Sequence, residues 1–243
     1  MVLFDYSREP HSDIAFVDMK SFYASCECIA LGLDPLKTSL CVMSRIENSA
    51  GLILAATPLF KKNFGSQNVS RSYNLPFDVH TRKFNFAAAR KQGLPITADY
   101  VRFIEDAAQK TLLVPPRMNY YIQKNMEIQK IFQDFAAPDD IFPYSIDEGF
   151  LDLTSSINYF IPDQTLDRRI KLDLLAARIQ QAIWKKTGIY ASIGLSNANP
   201  LLAKLALDIE AKHTKKMRVN WSYEDVPRKV WTIPNMTDFW GIG

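Results

Sequence analysis

Ile14-Ala15-Phe16-Val17-Asp18-Met19-Lys20-Ser21-Phe22-Tyr23 and Tyr144-Ser145-Ile146-Asp147-Glu148-Gly149-Phe150-Leu151-Asp152-Leu153 are the two stretches whose reading decides the fold. In the first, the apolar run Ile14–Val17 is short and uninterrupted, as in a buried strand, and it ends at Asp18. A helix-like segment follows from Phe22 to Leu31 and stops at Gly32. In the second, Phe142 to Thr154 alternates around a tight acidic turn, the pattern of a β-hairpin.

Working outward, Leu40–Met43 and Leu52–Ala55 are further strand candidates. Thr57-Pro58 opens a helix, with Thr57 as N-cap and Pro58 at the first helical position, where a missing N–H costs nothing. That helix runs to Phe64 and stops at Gly65. Residues 66–116 read as irregular, mixing basic and aromatic residues with four prolines. Arg117 to Phe135 is amphipathic, with Met118, Tyr121, Ile122, Ile128, Phe132 and Phe135 on one face. Leu166–Lys186 is a long helix closed by Gly188, Tyr190–Leu195 a strand, and Asn199-Pro200 the start of a helix reaching about His213. Strands alternating with helices around a central hairpin indicate an α+β fold, a sheet with helices packed on one face.

The chain has 243 residues, 47% hydrophobic and 23% charged, which excludes a disordered tail, a fibre and a disulfide scaffold. Cys26, Cys28 and Cys41 are odd in number and read as buried thiols. The N-terminus carries Asp5, Glu9 and Asp13 and does not read as a secretory signal. No apolar stretch reaches the roughly 20 residues that span a bilayer. The expectation is a cytoplasmic protein. Net charge is only +3, but residues 161–243 hold 13 basic and 8 acidic residues. Residues 61–91 hold Lys61, Lys62, Arg71, Arg82, Lys83, Arg90 and Lys91 against Asp78 alone. Such excess is what a polyanion site needs, although a solvated helix face has the same composition.

Three acids stand where strands end: Asp18, Asp147 and Glu148. Acids at turns are usually solvated, but aromatic and apolar neighbours (Phe22, Tyr23, Ile146, Phe150) set these against a core. If neighbouring strands bring the three together, their charges must be neutralised or their pKa values must shift. Mg²⁺ solves this with oxygen ligands and leaves room for phosphate oxygens and water. Two such ions form the clamp used in nucleotidyl transfer. The three histidines, His11, His80 and His213, are too scattered in sequence for a transition-metal site.

The stretches Phe16–Glu27 and Tyr144–Leu153 resemble the two catalytic motifs of Y-family translesion DNA polymerases, the second being the family's SIDE motif. The Ser-Cys-Glu ending and the Gly after Glu148 look most like the UmuC (ImpB/MucB/SamB) branch of Gram-positive type. The resemblance implies a DNA-directed DNA polymerase of the error-prone, SOS-repair type with two Mg²⁺ ions. It implies that Asp18, Asp147 and Glu148 hold the metals, with the Met19 carbonyl as a supplementary ligand. Tyr23 matches the steric gate that excludes a ribose 2′-OH, and Phe22 the adjacent aromatic. Thr57 and Lys62 lie on the helix that contacts the incoming nucleotide, Lys62 facing the triphosphate. Leu59 stands where the family has a tyrosine. Many relatives place a phosphate-binding Lys after the strand that ends near Leu195. Here Asn197-Ala198-Asn199 stand, so Lys204 or a neutral Asn serves, or the contact is missing. Lys61, Arg71, Lys83 and Lys204 are candidate DNA contacts.

The same resemblance implies a ferredoxin-like palm at 1–32 and 100–205, fingers at 33–99, and at 206–243 the start of a helical thumb cut at Trp240-Gly241-Ile242-Gly243. A little finger is expected to be absent from this chain. Expected partners are primer-template DNA and deoxynucleoside triphosphates, with a sliding clamp or SOS accessory proteins reached through a C-terminal part beyond residue 243. Two other readings stay open: a remnant that binds DNA or a partner without turnover, and a cyclase-like nucleotidyl transferase on a similar palm.

Overall fold

A computed structural model describes residues 5–46, 50–65, 70–239 and 241–242. Trp240 and Gly243 of the expected thumb terminus lie outside the described residues. In chain order the elements are β1 (Ile14–Met19), α1 (Phe22–Ala30), β2 (Leu40–Met43), β3 (Ile53–Ala56), α2 (Pro58–Phe64), α3 (Phe86–Gln92), α4 (Ala98–Gln109), β4 (Leu112–Val114) and α5 (Met118–Phe132). There follow β5 (Ile141–Pro143), β6 (Glu148–Asp152), α6 (Ile157–Phe160), α7 (Arg168–Thr187), β7 (Ala191–Ser196), α8 (Pro200–Ile209), β8 (Arg218–Asn220) and α9 (Val226–Lys229). They form two compact units, Met1–Lys20 with Asn125–Gly243, and Ser21–Lys124.

The first unit is built on a five-stranded sheet in the order β5-β6-β1-β7-β8. β1 is central and antiparallel to both neighbours, while β7 and β8 run parallel, so the sheet is mixed. The uninterrupted apolar run of β1 is explained by cover on both faces. Ile14 and Phe16 point to α8, where they pack with Ala203, Leu207 and Ala211. A Cβ on Gly194 would fall into the α8 backbone at Ala203 and Leu207, so only glycine lets that helix come so close. Ile193 is in register with Arg218, and Arg218 donates to Asp173 and Gln180 of α7. Side chains alternate along β7, so α7 lies on the face opposite α8. The expectation of helices on one face is therefore corrected: the second helix was needed because Ala15, Val17, Ile193 and Leu195 form a second fully buried apolar face.

The hairpin is β5–β6, with Phe142 opposite Phe150 and their rings stacked at 4.5 Å. α7 begins at its N-cap Asp167 and ends at Gly188 in the left-handed region. α8 begins where Asn199 accepts from the Leu202 N–H, and it stops at Ile209; the turn to His213 is a separate 3₁₀ segment.

The second unit holds the sheet β3-β2-β4. One side packs α1 through Ala24, Cys28, Leu40 and Val42. The other buries Cys41, Met43, Phe60, Phe64, Phe77 and Ile104, drawn in part from α2 and α4. α1, read from the sequence with the first strand, thus packs on the second sheet. Residues 70–116 are more regular than expected, 66–69 lying outside the described residues. α3 is capped by Asn85, α4 by Thr97, and β4 pairs in parallel with β2. The helix expected at Arg117–Phe135 ends at Phe132, and of its expected apolar face Met118 and Ile122 are exposed whereas Tyr121, Ile128 and Phe132 are buried. All three cysteines are buried and free. Among the described residues no helix is long and apolar enough to cross a membrane.

Candidate active site

Antiparallel register sets Asp18, at the end of β1, directly opposite Glu148, at the start of β6. Both share the face of Phe16, toward α8. That helix answers the two carboxylates with cations. Lys204 Nζ donates to both Glu148 oxygens at 2.9 and 3.1 Å and to Asp208 at 3.3 Å. Lys212, just past the helix, lies 3.1 Å from Asp18, 2.9 Å from Asp208 and 3.6 Å from Glu148. Lys204 and Asp208 are four apart and share one stripe of α8; Lys212 follows from the 3₁₀ segment Ala211–His213. Lys204 is only 6% exposed, and its ammonium sits 5.0 Å from the Phe16 ring centroid.

Three carboxylates, Asp18, Glu148 and Asp208, share two ammonium groups. Burial pushes the Asp18 carboxyl up to about 7, helped by the charge of Glu148 and opposed by Lys212. A hydrogen bond between the two carboxyls raises Asp18 further and lowers Glu148. Burial also raises Glu148, but the hydrogen bond from Asp18 and the contacts with Lys204 outweigh it and leave its carboxyl below the ordinary value. Burial lowers Lys212, but Asp18 and Asp208 more than compensate and raise its ammonium.

Asp147 reaches the same end of the sheet in the hairpin turn, where its carbonyl accepts from the Met19 N–H at 2.9 Å. Its carboxylate accepts from Ser145 Oγ at 3.0 Å. Burial raises this carboxyl, the Ser145 hydroxyl lowers it, and the charge of Glu148 raises it further. The structure thus pairs Asp18 with Glu148 and leaves Asp147 on Ser145. Among the described residues no three acidic, histidine or cysteine side chains are disposed to hold a metal ion. The donor chemistry nevertheless fits a hard divalent cation: the acids are oxygen donors, carry more charge than their lysines offset, and are unaccompanied by imidazole or thiolate.

Asn197 donates to Asp13 and accepts from Asn220, and Asn199 caps α8 and donates to Tyr223. Both amides are engaged in the fold. Arg168 Nε also donates to the buried Asp13, at 2.6 Å.

The remaining expected residues belong to the second unit. Tyr23 is half-buried on α1, and Phe22 is buried. Thr57 is fully buried; its hydroxyl oxygen accepts from the Leu40 and Phe60 N–H groups, so it works as cap and strand clip. Lys62 is exposed on α2. Arg71 donates to the Ala50 carbonyl, and Lys83 pairs with Glu105 at 3.4 Å.

Sequence reasoning missed Asp208 and Lys212, although the Lys-x₃-Asp-x₃-Lys spacing was visible. It also missed the environment of Tyr23. The Tyr23 ring stacks on Tyr121 at 4.5 Å and 14°. Tyr121 OH donates to Glu27 at 2.7 Å, and Arg117 grips the same carboxylate through Nε and Nη2 at 3.0 and 2.7 Å.

The model of the impB/mucB/samB family matches residues 17–208, which include both acidic motifs and Lys204. The chain is 33% identical over 241 residues to UvrX of Bacillus subtilis (strain 168), a protein named for UV-damage repair, covering 99% of this chain and 47% of UvrX. It is 28% identical over 230 residues to DNA polymerase IV 2 of the same organism, covering 95% and 45%. Among solved structures it resembles a Y-family DNA polymerase chimera, with a TM-score of 0.63 at 20% identity, covering 95% of this chain and 54% of that one. The fold is therefore that of about half of such a polymerase chain. The chain spans about half the length of these relatives.

Proposed function

Because this chain belongs to the impB/mucB/samB family, we propose that it is the catalytic part of a DNA-directed DNA polymerase of the translesion repair type, extending a primer 3′-OH with deoxynucleotides. The observation that carries the reading is the Asp18–Glu148 pair, set in register on adjacent strands with Asp147 one residue away in the turn.

In this proposal Asp18, Asp147, Glu148 and the Met19 carbonyl hold two Mg²⁺ ions. When bound, such ions favour ionisation of the primer hydroxyl and offset charge on the triphosphate and leaving pyrophosphate. The protein supplies position and charge. Lys204 fixes the Glu148 carboxylate from beneath, and Lys212 offsets Asp18. Tyr23 excludes a ribose 2′-OH, Phe22 packs beside it, and Lys62 is a point-charge contact for the triphosphate. Thr57 contributes through the helix it caps, its side chain being buried. Lys61, Arg71 and Lys83 lie in the basic segment that supports contact with a polyanion. The metals, the SOS context, a cytoplasmic location and a clamp or accessory partner belong to this reading through the family resemblance.

The test is primer extension with Mg²⁺ by the wild-type chain and by Asp147→Ala and Glu148→Ala. Extension by the wild type and loss by about 10² or more in each variant is expected. Wild-type DNA binding without extension would sink the enzyme reading for this chain. Extension indifferent to both substitutions would sink the site.

A further inference from the structure

Glu27 is a buried acid that none of the chemistry above uses. It is 5% exposed, on α1, one turn from Tyr23. A carboxylate in such a place needs strong partners. It has them: a two-nitrogen grip from Arg117 and the hydroxyl of fully buried Tyr121. Arg117 is itself laid over the Tyr120 ring at 4.5 Å. The Tyr121 ring is therefore fixed at its hydroxyl end by a charge-assisted hydrogen bond and at its face by Tyr23.

A Glu–Arg pair whose arginine is exposed is a weak way to gain stability. Its value here is orientation. Tyr23 is only half-buried, and a ring on a helix surface has two open χ angles. A parallel ring at 4.5 Å blocks one of its faces and limits the angles it can sample. We propose that Tyr121, anchored by Glu27 and Arg117, is a positioning residue for Tyr23, and that this network sets how strongly the chain discriminates against a 2′-hydroxyl on the incoming nucleotide. The inference rests on the reading of Tyr23 as the sugar gate. Displacing a group by about 1 Å can change a rate by about 10²-fold, so a gate that leans costs discrimination even with its ring intact.

The test measures the ratio of deoxynucleotide to ribonucleotide use. It compares single-nucleotide primer extension efficiencies in Mg²⁺ and displacement of a fluorescent deoxynucleoside triphosphate from the chain with primer-template in Ca²⁺. The variants are Tyr23→Ala, Tyr121→Leu, Tyr121→Phe, Glu27→Ala and Glu27→Gln, each checked for folding by its thermal melt. A merely structural role lowers use of both nucleotides together and leaves the ratio alone. The expected result is a ratio reduced by about tenfold or more in Tyr121→Leu and Glu27→Ala. Tyr121→Phe, which keeps the ring and loses the anchor, falls between these and wild type. Glu27→Gln, which still accepts from the Tyr121 hydroxyl, is closer to wild type than Glu27→Ala. A ratio lost in Tyr23→Ala but unchanged in Tyr121→Leu, Tyr121→Phe and Glu27→Ala overturns the positioning role and leaves the gate reading standing. A ratio unchanged in Tyr23→Ala overturns the gate and this inference with it. A folded wild-type chain that neither extends primers nor binds nucleotide overturns the polymerase reading, and the network's assigned purpose falls with it.

Discussion

Replacing Lys204 by Met tests whether the counter-charge on α8 holds the acidic pair together. Methionine keeps the length of the stem, so packing against Phe16 changes little and the ammonium is the main loss. That ammonium makes two hydrogen bonds to Glu148 and one to Asp208 and lies almost wholly out of water. Removing one partner of a buried ion pair costs about 3–5 kcal/mol. Lys212, 3.6 Å from the same Glu148 carboxylate, keeps part of the compensation, so a loss of about 2–3 kcal/mol is expected. For a chain of this size that is a fall in Tm of about 4–12 °C. The assay is thermal unfolding followed by circular dichroism, first in EDTA and then in millimolar Mg²⁺. Without the ammonium the carboxylates bind a divalent ion more tightly than in wild type, and a variant at a hundred times its Kd gains about 2.7 kcal/mol where a wild type that binds weakly gains little. The gap between variant and wild type should therefore close substantially in Mg²⁺. A variant that melts within about 1 °C of wild type in EDTA, on the same conversion, would refute the ion-pair reasoning. A gap that Mg²⁺ leaves untouched would refute the idea that the ion takes over the charge that Lys204 supplies.

Gly194→Ala should destabilise by about 3 kcal/mol or more, because the new methyl falls into the α8 backbone rather than against a movable side chain; a urea midpoint like that of wild type would show that α8 does not approach so closely. Thr57→Val keeps the shape but leaves the Leu40 and Phe60 N–H groups without their acceptor, for an expected loss of about 2–3 kcal/mol in the same assay; a neutral result would mean that other acceptors replace it. Asp225 gives a pH signature. Burial raises its carboxyl, but the Ser222 N–H and Arg169 prevail and hold it below the ordinary value. Its contribution is therefore fully present above the unfolded value of about 3.9 and is lost as pH falls through the folded one. The stability difference between wild type and Asp225→Asn should be largest near pH 7 and shrink below pH 4, and a difference constant with pH would refute the assignment.

What could be read from the sequence was local. Ile14–Val17, the acidic hairpin, the Thr57-Pro58 start, the Gly188 stop and the Asn199 cap each depend on a few consecutive residues, and each lies where it was expected. Residues 66–116 were obscured because α3 has seven residues and β4 three. β4 has its partner in β2, about seventy residues earlier in the chain, and its pairing is parallel, which leaves no hairpin signature. Met118 and Ile122 had the right spacing for an inward face, yet spacing does not say where a helix stops being covered. The three acids were identifiable as a group, but their cations were not. Lys212 is 194 positions from Asp18, and nothing near either residue announces the other.

The two units meet the same physical problem in the same way. Each sets an acid against its core: Glu27 on the helix that carries Tyr23, and Asp18 with Glu148 where β1 ends and β6 begins. Each answers it with a cation much later in the chain, Arg117 ninety residues after Glu27 and Lys204 fifty-six after Glu148. Neither acid can be inside without its partner, since an unpaired buried carboxylate costs more than either segment's packing returns. The ion pairs therefore fix which distant helix lies against which acid, a constraint that apolar contacts of similar area would leave looser. In the first unit Lys204 lies on α8, whose adjacent residues Ala203 and Leu207 pack against Ile14 and Phe16 of the same strand that ends in Asp18. Packing and charge are thus carried by one helix on one strand, so a change that shifts α8 must move the carboxylates' counter-charges at the same time. Stability and the geometry of the acidic pair are coupled by construction, and this is why Gly194, whose missing side chain lets α8 approach, belongs to the same mechanical unit as the site.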